Sequence, residues 1–234
     1  MPADDFVFPP APQASLAVQG TDARFPMRRI FCVGRNYEAH AREMGKDPTR
    51  EAPFFFTKPA DAALDTPCTI PYPPQTEDLH HEIELVIAIG KGGRNIAEAD
   101  VMDHVWGASV GIDLIRRDLQ AEAKKAGRPW DWGKAFDNSA PIAALKPIAD
   151  VPSVEQGRIW LAVNGEVRQD ADLADLVWSV REHVAILSQS MALAPGDIIM
   201  TGTPAGVAAL VEGDVVTGGV DGIATLEVTI GPRA

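Results

Sequence analysis

The run His80-His81-Glu82-Ile83-Glu84-Leu85-Val86-Ile87-Ala88-Ile89-Gly90 sets two carboxylates two residues apart at the head of a β-branched, apolar stretch. In an extended strand successive side chains alternate faces, so Glu82 and Glu84 project one way and His81, Ile83 and Leu85 the other. Two anions held together on a half-buried face repel, and each raises the other's pKa unless a cation lies between them. Carboxylate oxygens favour hard cations such as Mg2+ or Mn2+. Taken alone, the pair also suits the solvated edge of an ordinary strand, so the surrounding segments carry the choice.

Outward from this strand, residues 28–34 read as a short strand ended by Gly34, and Phe54-Phe55-Phe56-Thr57-Lys58 as a buried strand with a lysine at its end. Between them, Asn36 can cap a helix over 37–44 that stacks His40 and Glu43 on one face, and 46–52 has little to anchor it. Past Gly90 the pattern predicts a short helix at 101–105, a strand at 106–112 that delivers Asp113, and a helix over 114–125. A polar, aromatic loop follows at 130–137, with Lys134 at its centre. Asn164-Gly165 between apolar runs marks a tight hairpin. Helical periodicity returns at 180–191, and a strand at 196–200 leads into Thr201-Gly202-Thr203-Pro204. This is a β-rich α+β pattern. A doubly wound parallel sheet fits poorly, because strands and helices alternate irregularly and no G-x-G-x-x-G follows a strand.

With 234 residues, the chain divides into a Pro-punctuated arm at 1–27 and a single catalytic domain at 28–234. A net charge of −12 argues against nucleic acid or an anionic membrane surface as partner. No apolar stretch is long enough to span a bilayer, and the N-terminus lacks the basic and apolar regions of a signal peptide. Cys32 and Cys68 cannot form a disulfide framework for a chain of this size, so reduced thiols and a cytoplasmic location are expected. His80 and His81 read as packing groups or as supports behind the site's ligands, and His104 and His183 as helix residues. Zinc is disfavoured because adjacent strand histidines face opposite ways. Trp130 and Trp132 read as core or pocket wall.

Six pieces occur in order: Gly34-Arg35-Asn36-Tyr37-x-x-His40-x-x-Glu43, Phe56-Thr57-Lys58-Pro59, His81-Glu82-x-Glu84, Asp113-x-x-x-Arg117-Asp118-x-Gln120, Gly133-Lys134-x-Phe136, and Thr201-Gly202-Thr203-Pro204-x-Gly206-Val207. Together they resemble the fumarylacetoacetate hydrolase family from about residue 29 to the C-terminus, and within it the short acylpyruvate hydrolases of the fumarylpyruvate-cleaving kind. The resemblance implies a mixed β-sandwich or β-roll of the family's C-terminal-domain type, as a homodimer, with Mg2+ or Mn2+ held by Glu82, Glu84 and Asp113. It also implies a water-activating dyad of His40 and Glu43, with Lys134 and Thr203 lining the pocket and Arg117 and Gln120 facing it. Ile115 departs from the family pattern, which often has a hydroxyl residue there.

Three carboxylates around a dication leave one negative charge, so an anionic 2,4-dioxo acid needs cations nearby, and Arg35, Arg117 and Lys134 can supply them. The plain alternative for each is a solvated base, with Arg35 or Arg117 paired to a surface acid, and for Thr203 it is turn chemistry alone. The chemistry expected from the resemblance is hydrolysis of the bond between carbons 3 and 4 of an acylpyruvate such as fumarylpyruvate. His40 would take a proton from water, and the metal and Lys134 would stabilise the departing enolate of pyruvate. Decarboxylation of an oxaloacetate-type 2-oxo diacid and isomerisation of a dioxo acid are the competing reactions on the same residues. A silent metal-binding scaffold is the alternative of a different class.

Overall fold

Strand Ile83–Ile89 is buried at all seven positions, on both faces. In the computed structural model, which describes residues 6–38 and 51–233, this strand lies inside an eight-stranded mixed sheet. The order runs Phe54–Lys58, Arg29–Gly34, Asp197–Met200, Ile83–Ile89, Val105–Ile112, Ala140–Ile142, Ala63–Asp65, and Lys146–Pro147 also pairs with Val105–Ile112. Asp197–Met200 runs parallel to Arg29–Gly34 and antiparallel to Ile83–Ile89. A five-stranded sheet stacks on one face, in the order Glu166–Asp172, Arg158–Val163, Val215–Val220, Ala224–Arg233, Cys68–Tyr72. The result is β-rich, as the pattern predicted, and a sandwich of two sheets, as the family resemblance implied.

Alternation along the central strand divides its side chains between two cores. Ile83, Leu85, Ile87 and Ile89 join Ile159, Leu161, Val216 and Val228 of the second sheet. Val86 and Ala88 face a smaller core with Leu16, Val18 and Phe25. Those last three come from a hairpin of Ser15–Val18 with Thr21–Pro26, so this part of the N-terminal arm is packed structure. The half-buried strand expected from the sequence is therefore a shared wall. The apolar run of residues 83–89 is what a strand covered on both sides requires.

The Asn164-Gly165 hairpin forms between Arg158–Val163 and Glu166–Asp172, with φ of 52° and 81° at the two turn residues, the left-handed pair that a tight hairpin demands. The helix Val180–Ser190 opens on a reciprocal capping box of Ser179 and Glu182. Elsewhere tertiary contacts overrode local pattern. The helix expected from 114 starts at Arg117, because Leu114 bonds Ser139 and Ile115–Arg116 pairs with Leu79–His80 in a small third sheet. Ile115 is fully buried there. The short helix expected at 101–105 is a 3-10 connector, Glu98–His104. The loop expected at 130–137 contains one helical turn, Asp131–Lys134, held by Lys134 N–H to Trp130 and Ala135 N–H to Asp131.

The triple phenylalanine reads as buried, yet Phe54–Lys58 is the edge strand of the large sheet. Phe54 is 41% exposed and leans on Trp130, ring centroids 4.9 Å apart, whereas Lys58 is the fully buried member. Trp132 is 68% exposed and belongs to no core. Both cysteines are free thiols. Of the expected helix over 37–44, Tyr37 forms a β-bridge with Leu176, and residues 39–44, with His40 and Glu43, lie outside the described residues, as does most of the 46–52 loop.

Truncating the shared wall should cost far more than trimming the hairpin edge. Ile87→Ala is expected to lower unfolding free energy by about 2–5 kcal/mol, against less than about 0.5 kcal/mol for the half-exposed Val167→Ala. Denaturant titrations with unchanged slope would check this.

Candidate active site

Glu82 precedes the central strand and Glu84 is its second residue, so both carboxylates leave on one side at the strand's entrance. The neighbouring strand Val105–Ile112 runs antiparallel, with Ile112 opposite Ile83, and it ends where the central strand begins. Asp113 is the next residue, and its N–H donates to the Glu82 carbonyl at 2.8 Å. Antiparallel register thus brings together carboxylates some thirty positions apart in sequence. One oxygen from each of Glu82, Glu84 and Asp113 lies within 4.8 Å of the others, and all three residues are buried.

Burying three acids this close is costly unless positive charge accompanies them. Lys134, on the single helical turn, places Nζ 2.6 Å from Glu82 Oε2 and 2.5 Å from Asp113 Oδ2. Lys58, at the end of the edge strand, places Nζ 2.9 Å from Asp113 Oδ1 and donates to the carbonyls of Leu114 and Lys134. Arg117, at the start of its helix, donates to Glu82 Oε1 at 2.9 Å and to Gln120 Oε1 at 3.0 Å. Glu84 has a different kind of partner, the Gly202 N–H, at 2.8 Å from Oε2. No cation among the described residues pairs with it.

The ionisation equilibria follow these contacts. Burial, then Asp113 and Glu82, push the Glu84 carboxyl well above its ordinary value. For Lys134, burial works against the charged form, but Asp113 and Glu82 outweigh it and hold the ammonium above its usual range. A buried lysine here is therefore more firmly charged, contrary to the fall that burial alone would cause. His81 is pushed down to about 4 by burial and stays neutral. It faces away from the acids, its Nδ1 3.0 Å from Gln169 Oε1, as strand alternation required.

The donor set fits a hard divalent cation. Three buried carboxylates present oxygens, Glu84 lacks a cationic partner, and Asp113 Oδ1, though beside Lys58, makes no hydrogen bond. Arg35, Glu82, Glu84, Asp113, Arg117, Gln120, Lys134 and Thr203 all line one cavity, walled by Phe56 and Trp130. These are all the expected site residues that fall within the described part of the chain. No acid among the described residues pairs with Arg35, whereas Arg117 and Lys134 pair with the site's own carboxylates.

Three contributors escaped the sequence reading. Lys58 is legible as a lysine ending an apolar strand and as part of the Phe56-Thr57-Lys58-Pro59 piece, but with no role in the site. Asn36, expected to cap a helix, donates from Nδ2 to the Thr201 and Trp178 carbonyls and accepts from Trp178 N–H, fastening the loop beside the cavity. Gln169 gave no signal, since it stands among exposed polar residues of a hairpin strand while itself fully buried.

Residues 29–231 match the fumarylacetoacetate (FAA) hydrolase C-terminal family. The chain is 44% identical over 186 residues to a fumarylpyruvate hydrolase of Ralstonia sp, covering 80% of this chain and 96% of that protein. It is 38% identical over 199 residues to a mitochondrial oxaloacetate tautomerase of Homo sapiens, covering 85% and 90%. The crystal structure of fumarylpyruvate hydrolase from Pseudomonas aeruginosa in complex with Mn2+ and pyruvate superposes with a TM-score of 0.95 at 49% identity, covering 97% of this chain and 100% of that one.

A neutral side chain at position 84 should separate stability from cation binding. Because the folded-state pKa of Glu84 is raised, its contribution to stability declines as pH climbs from the ordinary glutamate range through that raised value. At neutral pH the metal-free Glu84→Gln variant should therefore melt above the metal-free wild type. Mn2+ at one hundred times its Kd should stabilise the wild type by about 2.7 kcal/mol and the variant hardly at all. Thermal melts with chelator and with Mn2+ measure both.

Proposed function

The chain belongs to the fumarylacetoacetate hydrolase family, and from that premise we propose that it hydrolyses a C–C bond of an acylpyruvate, converting fumarylpyruvate to fumarate and pyruvate with Mg2+ or Mn2+ as cofactor. One observation carries the reading: Glu82, Glu84 and Asp113 share a cavity with Lys134, Arg117, Gln120, Arg35 and Thr203. The likeness to fumarylpyruvate hydrolases at 44% and 49% identity supports the substrate.

Glu82, Glu84 and Asp113 would hold the cation, which supplies Lewis-acid polarisation of the substrate's 1-carboxylate and 2-oxo oxygens. Lys134, whose Nζ lies against Glu82 and Asp113, would act as a positive charge and N–H donor beside the developing enolate oxygen. Lys58 holds Asp113 from the other side and lies too deep to meet substrate. Arg35, without an acidic partner among the described residues, receives a substrate carboxylate. Arg117, bound to both Glu82 and Gln120, keeps the cavity wall in register.

His40, oriented by Glu43, takes a proton from water as it adds to the 4-carbonyl. The bond between carbons 3 and 4 then breaks. Its electron pair departs in the enolate of pyruvate, which is protonated at carbon 3, while the acyl fragment leaves as a carboxylate. The working unit is a cytoplasmic homodimer whose catalytic domain spans 28–234, with 1–27 as an N-terminal arm.

A second reading is favoured by the 38% identity to an oxaloacetate tautomerase. Isomerisation or decarboxylation of a 2-oxo diacid draws on the same stabilised enolate and needs no attacking water. A panel of fumarylpyruvate, acetylpyruvate and oxaloacetate, assayed with Mg2+, Mn2+ or chelator, separates the two. Metal-dependent release of fumarate and pyruvate is expected, and turnover of oxaloacetate alone would overturn the hydrolase reading. His40→Ala should slow cleavage by roughly 10²–10⁴-fold while Mn2+ affinity is retained. Full turnover in that variant would reject the dyad.

A further inference from the structure

Gln169 sits on the edge strand of the five-stranded sheet, outside every motif above, yet its amide uses all of its hydrogen-bonding capacity beside the cavity. Oε1 accepts from the Ile83 N–H at 3.1 Å and faces His81 Nδ1 at 3.0 Å. Nε2 donates to the Pro204 carbonyl at 2.8 Å and lies 2.8 Å from Thr203 Oγ1. Two of these partners are backbone groups with a single possible role. A peptide N–H only donates and a proline carbonyl only accepts, so the amide orientation is settled without appeal to side-chain rotors. It follows that His81 carries its proton on Nδ1 and that Thr203 Oγ1 is an acceptor toward Gln169.

The Thr203 hydroxyl then has its own hydrogen left to give, and no acceptor for it is found among the described residues. We infer that Gln169 is a positioning residue that fixes the Thr203 hydroxyl as a hydrogen-bond donor toward an anionic oxygen of the substrate. This rests on the reading of the cavity as a substrate site. Gln169 also ties the turn bearing Thr203 to Ile83, which lies between Glu82 and Glu84, so one side chain from the second sheet sets the distance between the acids and the donor.

Backbone packing supports the arrangement independently. Gly206, at φ +94°, presses so closely on the strand of Gln169 that a Cβ there would collide with the Arg168 carbonyl oxygen. The turn is thus docked against residues 168 and 169 along its length, through backbone at one end and through the amide at the other. Glu84 is bound by Gly202 of the same turn, so the turn meets both the acids and the amide.

The test is a double-mutant cycle read by oxalate binding to the Mn2+-loaded protein, with Mn2+ affinity measured alongside. Thr203→Val and Gln169→Met should each weaken oxalate roughly tenfold or more, the size expected for a hydrogen bond to a charged group. The double variant should be no weaker than Thr203→Val alone, Thr203→Ser should restore most of the affinity, and Mn2+ affinity should be unchanged throughout. Multiplying effects, an unaffected Gln169→Met, or a parallel fall in Mn2+ affinity would overturn the inference. Should Gln169→Met fail to fold, imidazole 15N shifts of wild-type His81 give the amide orientation directly: Nδ1–H supports it and Nε2–H overturns it. Intact coupling in a protein that cleaves no acylpyruvate would overturn only the reaction proposed above. A wild type that binds Mn2+ but not oxalate would overturn the inference together with the substrate site.

Discussion

Everything at this site follows from holding three carboxylates within 4.8 Å of one another away from bulk water. The desolvation cost of such ions amounts to several kcal/mol each, roughly, after relaxation, and close opposite charge must offset it. Lys134, Lys58 and Arg117 do so for Glu82 and Asp113, and they come from three different elements. Glu84 is left with one peptide N–H, and it is the acid whose ionised form the protein disfavours most clearly. The imbalance is local, and it points the site toward a cation.

The sandwich provides the rigidity that this charge cluster needs. A strand covered on both faces cannot slip by one residue without exchanging the side chains that fill its two cores, here Leu85, Ile87 and Ile89 on one side and Val86 and Ala88 on the other. Pairing with Val105–Ile112 then brings Asp113 beside Glu82 as a consequence of register. Sites built on paired strands hold their geometry better than sites on loops. The second sheet contributes as well, since Gln169 reaches from its edge strand to the turn that carries Thr203.

The same physical economy accounts for kinship with enzymes of different names. A cavity that stabilises negative charge on the 2-oxo oxygen of a pyruvate unit favours the enolate, whether it arises by loss of an acyl group or by movement of a proton. What distinguishes hydrolysis is a positioned water and a base to activate it. The similarity to both a fumarylpyruvate hydrolase and an oxaloacetate tautomerase is consistent with a shared enolate-stabilising core and different surroundings.

Sequence by itself determined the class of the fold, the facing of Glu82 and Glu84 and the Asn164-Gly165 hairpin, while the resemblance of its ordered motifs to a family pointed to the eight described site residues that line the cavity. The fold class, the facing and the hairpin depend on periodicity of two and on turn chemistry, both of which are local. Tertiary structure alone decided that Phe54–Lys58 lies at a sheet edge with its lysine inward, that the helix after Asp113 begins only at Arg117, and that Lys58 and Gln169 belong to the site. Burial of a lysine or a glutamine is set by what packs over it, and the partners of both come from strands and turns distant in sequence. No local pattern encodes that encounter, because it exists only once the sheets have closed.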